Sequence, residues 1–514
     1  MGAALHPVST EGRSLRALVL AVVALGLIGP IAAGLWIGAR ASLGVMPAIG
    51  ATGPGLAPWR DLLAIPGFGS ALRLSLVTGL GSTLAALVLA LAVSAALSGR
   101  RTPRRVTRLL TPFLAMPHAA MAIGLAFVLA PSGWIARGLA PLFGWDRPPD
   151  IATVGDPWGL ALILGLMVKE VPFLLLMIQS ALTQIPVRAH LRAGRSLGYG
   201  RGMAWIALIL PQLWPLIRLP VLVVLAYGLS VVDMALILGP SNPPTLAVLL
   251  VRLFSDPDTR MLLPASAGAL VQAGLVLVCA ALLLAGARGA GGLGRVWLRR
   301  GGRGQGVDPV VRAIAGAGLA LLGLGVLAIA ALALWSVAWR WSFPHLLPQS
   351  WSLRAWSTPG GGWGRALTAT LALALATTAL SLALAVAWLE GEDRARRGRA
   401  GWAEALIYAP LLVPQIGFLV GLNVLFLRLG LSGGWVAVIW AQALFVFPYV
   451  MIALSDPWRA LDPRLGRAAA SLGAGPWRRL WRVKLPVLLA PLCTAAAIGV
   501  AVSVAQYLPT LFMG

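Results

Sequence analysis

Lysine occurs only at positions 169 and 484 of this 514-residue chain, and histidine only at 6, 118, 190 and 345. Neither lysine follows a glycine, so the Gly-x4-Gly-Lys loop that cradles nucleotide phosphates is absent. The four histidines have no metal-ligand spacing, and no HExxH, GxSxG or catalytic Cys–His pairing is present. The chain is expected to have no catalytic residue, no metal site and no bound cofactor. The charge that stands out is instead Lys169-Glu170, set with Pro172 in the middle of an apolar run. A charge held at mid-bilayer costs roughly 2.5–3.5 kcal/mol on insertion scales, so both side chains should face protein or water. Adjacent helix positions do not face each other, so the two need not pair together. An interhelical structural pair and a gating or path-lining role are both open.

The composition says why a bilayer is at issue. Hydrophobic residues make up 59% and charged residues 11% of the chain, with mean hydropathy +0.86. A soluble domain carries roughly a quarter charged residues. A disordered chain, a disulfide scaffold and an ordinary cytosolic enzyme are excluded; Cys279 and Cys493 both lie in apolar runs. A crossing helix needs about 20 apolar residues, and eleven such runs can be read: 18–39, 71–97, 109–130, 157–182, 212–238, 262–287, 313–338, 366–389, 402–427, 435–454 and 487–512. The first is read as a retained span, not a removed signal peptide.

The net charge of +25 is explained by where the arginines sit. With the N-terminus in the cytoplasm, 28 of the 41 Lys and Arg residues fall in the inside segments 1–17, 98–108, 183–211, 288–312, 390–401 and 455–486. Ten fall outside, and Arg73, Lys169 and Arg218 lie within spans. This is the positive-inside bias. Nucleic-acid binding would need one continuous basic face and is not expected. Trp36, Trp59, Trp134, Trp335, Trp339, Trp341, Trp351, Trp356 and Trp363 sit near outer ends or loops, as an interfacial aromatic belt or as a docking surface.

The chain repeats itself. Residues 71–97 resemble 366–390 at an offset of 295; Pro117, Gly124 and Leu125 match Pro414, Gly421 and Leu422 at 297; Gly198 and Leu210-Pro211 match Gly473 and Leu485-Pro486 at 275. The fall in offset makes the outside loop 131–156 about twenty residues longer than its counterpart near 428–434. The organisation read from this is a first transmembrane domain over 1–287, a Gly/Arg-rich cytoplasmic linker over 288–312 and a second domain over 313–514. Six spans precede the linker, so the repeats run parallel, with a path expected between them. Gly514 aligns with Gly239, so the second repeat stops before its sixth span; twelve spans are expected, the last either removed by truncation, the favoured reading, or dispensable.

Polar residues at membrane depth are candidates for lining the path: His118 and Gln415, each after the repeated proline, with Asn423, Gln442, Asp233, Gln506 and Tyr507. Helix–helix hydrogen bonding is the competing reading, and Asp233 could be interfacial.

Each repeat also has one long inside loop with the same pattern. Arg192-Ala193-Gly194-Arg-Ser-Leu-Gly198 is followed by nine residues and Leu208-Ile-Leu210-Pro211; Arg467-Ala468-Ala469-Ala-Ser-Leu-Gly473 is followed by nine residues and Val483-Lys-Leu485-Pro486. Small residues let another protein approach a helix closely. A following glycine can end the helix in a left-handed conformation, and proline can open the next. The spacing predicts a helix–turn–helix along the cytoplasmic surface.

This pattern resembles the EAA loop, EAA-x3-G-x9-I-x-L-P, of permease subunits in binding-protein-dependent ABC importers, and the span organisation resembles the MetI-like permease fold. Nearly the whole chain is similar to tandem fused permeases of iron(III) and thiamine importers, including a putative thiamine-type group. The resemblance implies an all-α inner-membrane permease of two tandem MetI-like repeats that forms the translocation path for a small solute. It also implies two copies of a separate ATPase carrying ATP and Mg, and an external solute-binding protein. In that family the EAA loop is the coupling helix. Carried over, coupling runs through Arg192, Ala193, Gly194, Gly198, Leu210 and Pro211, and through Arg467, Ala468, Ala469, Gly473, Leu485 and Pro486. The family's leading Glu is Arg192 in one copy and Arg467 in the other, which removes any ion pair the Glu would make. A thiamine-like cation is the expected solute, with iron(III) and polyamines as alternatives. The competing function is an ion-gradient-driven secondary transporter using Lys169, Glu170 and Asp233, which would not require the paired loops.

Overall fold

The computed structural model describes residues 10–98, 110, 112–304, 306–358, 362–395 and 401–514. Most of segment 98–108 and part of 1–17 and 390–401, counted above as inside, lie outside the described residues. Among those described, nine helices are long and apolar enough to cross a membrane, and two bent pairs bring the number to eleven. Gly401–Leu411 meets Ile416–Arg428 at 90°, and Pro476–Val487 meets Leu489–Val504 at 77°. Proline accounts for both bends. Pro414 biases Val413 away from helical backbone, and the ring of Pro491 cannot sit above the Val487 carbonyl in an unbroken helix.

Three details refine the expected organisation. The linker over 288–312 is mostly helix: Leu262–Arg299 runs on through its glycines, and Val307–Trp335 begins inside it. The protein is mostly helical, not wholly so, because Ala338–Arg340 pairs antiparallel with Ser350–Trp351. Arg137 fastens this hairpin's loop, donating to the carbonyls of Ser342 at 2.8 Å and His345 at 2.7 Å, with its guanidinium over the Trp341 ring. The run 212–238 is not one helix either: Leu210–Ser230 stops at Val231-Val232, and Asp233–Leu238 resumes. Leu489–Val504 and Leu508–Met513 are separated at the equivalent place in the second repeat.

Two compact units are formed, one from Met1–Ala41 with Gly362–Gly514 and one from Ser42–Gly361. They are cut differently from 1–287 and 313–514, because each repeat's leading helix packs on the core of the other repeat. Thr10–Val23 packs on Trp363–Arg394, and Val307–Trp335 packs on Phe68–Leu97 and His118–Leu129. Small residues permit the approach. In the first unit, a Cβ at Gly421 would collide with the backbone carbonyl of Gly34. In the second, a Cβ at Gly124 would lie 2.5 Å from the carbonyl oxygen of Ala328. The repeated glycine is thus explained by the same helix crossing made twice.

A second repeated surface is the buried polar stripe Thr78, Ser82, Thr83 on one core helix and Thr377, Thr378, Ser381 on the other. In the first stripe Thr78 donates to Leu74 O at 2.8 Å and Thr83 to Gly79 O at 2.7 Å, so those two hydroxyls are satisfied within their own helix. Their small size lets Leu229 reach Gly79. Because the atom beneath Gly421 is backbone, it cannot swing aside. Gly421→Val is expected to destabilise the protein by about 3 kcal/mol, the upper end for overpacking, read as a lower thermal midpoint in detergent. Gly323→Ala, whose Cβ meets open space, should leave that midpoint unchanged.

Candidate functional site

The two long loops fold alike. Val187–Ser196 and Pro463–Ser471 are short helices, each followed by a glycine of positive φ: +81° at Gly198 and +76° at Gly473. Tyr199 N–H returns to Gly194 O at 3.1 Å and Ala474 N–H to Ala469 O at 3.0 Å. Both helices therefore end in the left-handed cap that glycine adopts without steric cost. Arg192 and Ala193, like Arg467 and Ala468, are exposed. Gly194 is buried because a Cβ there would lie 2.7 Å from the Cβ of Ala204, whereas Cβ atoms on Gly198 and Gly473 would meet nothing. Ala469 is half-buried. Beside the two open glycines, Leu197 is 63% exposed and Leu472 is 86% exposed. An apolar side chain next to a bare glycine at a loop apex suits insertion into a partner's groove.

The Leu-Pro pairs do not open the next helices. Those start ten residues earlier, at Arg201 and Pro476, and pass through the five-residue π turns Trp205–Ile209 and Leu480–Lys484. Leu210-Pro211 and Leu485-Pro486 follow directly, with both leucines half-buried and both prolines exposed. A wider turn accommodates a proline whose ring and missing N–H disrupt regular α-helix. Sequence reading missed Asp308, which caps the first loop by accepting from Arg201 N–H at 3.1 Å and Gly202 N–H at 2.7 Å.

The polar residues at membrane depth fall into separate groups. In the Ser42–Gly361 unit, Lys169 donates to the carbonyls of Phe113 at 2.6 Å and Met116 at 2.7 Å, just before Pro117 interrupts the chain. His118 opens the helix after that break, and its ring lies 4.7 Å from that of Tyr227. Tyr227, absent from the sequence candidates, donates its hydroxyl to Asp233 at 3.2 Å across the second break. The helices bearing His118, Lys169-Glu170 and Asp233 pack against one another, and Glu170 is buried.

In the other unit, Gln442 makes neutral hydrogen bonds across helices. It accepts from Ser503 at 2.5 Å and Thr377 at 3.4 Å and donates to Thr510 at 3.1 Å. Gln506 and Tyr507 occupy the break after Val504, with Thr510 donating to Gln506 O at 3.0 Å. Gln415 sits at the start of Ile416–Arg428. Asn423 is apart from Gln442, accepting from Ser432 at 3.1 Å in a local turn. Helix breaks at membrane depth are tolerated where protein or a water-filled cavity covers the freed backbone groups.

No protein-family profile matches the chain. It is 33% identical over 462 residues to the inner membrane ABC transporter permease protein YnjC of Escherichia coli (strain K12), across 89% of this chain and 82% of YnjC. Shorter similarity reaches the molybdenum transport system permease protein ModB of Mycobacterium tuberculosis, 32% over 118 residues, 21% of this chain and 45% of ModB. The putrescine transport system permease protein PotI of Escherichia coli (strain K12) is 34% identical over 99 residues, 18% of this chain and 35% of PotI.

Proposed function

Because this chain belongs to the inner-membrane permeases of ABC transporters, we propose that its paired loops at Gly198 and Gly473 are where two copies of a separate ATPase drive the transmembrane helices. The permease is a multi-pass, non-catalytic subunit of an importer, and ATP and Mg belong to the ATPase. That membership displaces the ion-driven alternative. The observation carrying the loop assignment is that two loops separated by 275 residues end in the same left-handed glycine, each beside an exposed leucine. The arginine bias supports a cytoplasmic position for these loops and the N-terminus. A solute-binding protein delivers cargo on the opposite face, and within each unit the path-lining candidates are the polar residues near the helix breaks: His118 and Asp233 with the buried Glu170 in one, Gln506 and Tyr507 in the other.

The cargo is a small solute. The names ModB and PotI refer to molybdenum and putrescine, which give no single substrate. The chain's own residues favour a cation: Lys169 is held by backbone carbonyls, leaving the Asp233 carboxyl beside Tyr227, whose ring lies 4.7 Å from that of His118, and Glu170 buried on a helix that packs against theirs. A thiamine-like organic cation fits carboxylates beside aromatic faces.

Pull-down of the tagged chain from its native membrane in gentle detergent, followed by mass spectrometry, tests the assignment. An ATPase that accompanies the wild-type chain supports it; a chain that comes down alone sinks it. For the cargo, wild-type proteoliposomes with the ATPase and binding protein should take up labelled thiamine. Asp233→Asn should lower that uptake by about tenfold, the loss of roughly 1.4 kcal/mol. Absence of thiamine uptake by the wild type would reject the cargo and leave the permease assignment standing.

A further inference from the structure

Acidic residues are scarce here, sixteen in 514, yet Glu390, Glu392 and Asp393 crowd into the last turns of Trp363–Arg394. Carboxylates at a helix C-terminus oppose the helix dipole, so something must compensate them. Lys484, at the end of the π turn that follows the Gly473 loop, donates to Glu390 Oε2 and Asp393 Oδ2, both at 2.6 Å. Arg394 binds Glu390 Oε1 at 2.7 Å and lies 4.4 Å over the Trp477 ring, which also belongs to this loop. Arg459 joins Glu392 to Glu404, each at 3.0 Å. Trp458 donates to Asp393 at 3.0 Å. The side chain of Glu390 is 4% exposed and that of Lys484 16%.

Among the described residues, the matching junction of the first repeat is made by a neutral hydrogen bond. At the 295 offset, Glu390, Glu392 and Asp393 correspond to Ala95, Leu97 and Ser98; at 275, Lys484 and Arg459 correspond to Ile209 and Gln184. There the π turn is tied to the helix end by Trp205 Nε1 donating to Ser98 Oγ at 3.0 Å. Among the described residues one neutral bond stands where the second repeat has several charged ones, and charge-assisted bonds are roughly twice as strong.

We infer that Lys484 is a positioning residue that makes the Gly473 loop and the helix Trp363–Arg394 move as one body, so that this repeat transmits the ATPase stroke through an ionic clamp. The inference rests on the loop being the ATPase contact. Lys484 touches neither nucleotide nor cargo; it acts by holding the π turn to the acidic helix end. Without it, nucleotide binding displaces the loop while the helix lags behind.

The test uses the full chain with its co-purified ATPase in nanodiscs, spin-labelled at Ala383→Cys and Arg478→Cys in a Cys279→Ala, Cys493→Ser background. Distances are measured nucleotide-free and with Mg-ATP plus vanadate. The clamped protein should give one narrow distance, unchanged between the two states. Lys484→Met should broaden it and make it shift with nucleotide, and Lys484→Arg should restore the single distance. Asp393→Asn, which removes one half-exposed arm of the clamp, is the milder variant should Lys484→Met fail to fold, and should broaden the distance in the same direction. Variants that keep the wild-type distance in both states overturn the clamp alone. A wild-type chain that brings no ATPase overturns both the clamp and the loop assignment.

Discussion

Gly473→Asp, and equally Gly198→Asp, is expected to leave the protein folded and inserted while the ATPase is lost from it. Both glycines have left-handed backbone, +76° and +81°, a conformation that aspartate tolerates better than most side chains. A Cβ at either position meets no atom of the protein. The added group therefore projects from the loop apex without disturbing what lies beneath, and the damage falls on a docked partner. Bulk and unmatched charge in a closely packed contact should cost about 3 kcal/mol, which is roughly a hundredfold loss of affinity. Co-purification of the ATPase and its hydrolysis rate in the complex are the readouts, with unchanged thermal unfolding as the control. Asn variants at the same positions add similar bulk without charge. Arg192 and Arg467 stand where the family carries Glu, so the partner surface should favour basic residues, and Asp should be worse than Asn. Single and double Asp variants that hold the ATPase at wild-type level would remove these loops from the coupling role.

The loops were legible because their pattern is local. Seven residues set the helix and its glycine, nine more set the distance to Leu-Pro, and the duplication repeats the statement. The number of spans was legible for a similar reason, since hydropathy accumulates along consecutive residues. What pattern could not reach was contact between distant segments. Gly124 and Gly421 stood out as a repeated pair, but only packing shows each accepting the backbone of a leading helix, at Ala328 and Gly34. The breaks at Val231-Val232 and after Val504 lie inside apolar runs, where hydropathy reads straight through a change of backbone. Lys484 was legible only as one more inside charge, because its partners are 94 and 91 residues away. Tyr227 went unseen for the opposite reason: a lone tyrosine in an apolar helix looks like packing until its hydroxyl is found on Asp233.

Lys169→Met should be the most damaging single change within the apolar helices. Its ammonium is shared between the carbonyls of Phe113 and Met116 at 2.6 and 2.7 Å, the last polar groups before Pro117, whose nitrogen carries no proton to donate. Methionine fills similar space but leaves two buried acceptors facing apolar surroundings. Each unsatisfied group costs about 1–3 kcal/mol, so a loss on the order of 3 kcal/mol is expected, seen as a lower thermal midpoint and reduced yield in detergent. Glu170, also buried, complicates the source of that loss, since removing a lysine leaves the neighbouring carboxyl without its compensating charge. The double variant Lys169→Met/Glu170→Gln separates the two causes. If the carbonyls dominate, neutralising Glu170 restores nothing and the double variant melts with the single one. If loss of the compensating charge dominates, the double variant recovers most of the midpoint, as expected when two buried opposite charges are removed together. A Lys169→Met protein with wild-type stability but altered uptake would assign the lysine to the path itself. The geometry favours the carbonyls, because the ammonium lies within 2.7 Å of both; the second repeat has Phe445 at the matching position, stacked on Phe418 at 5.7 Å.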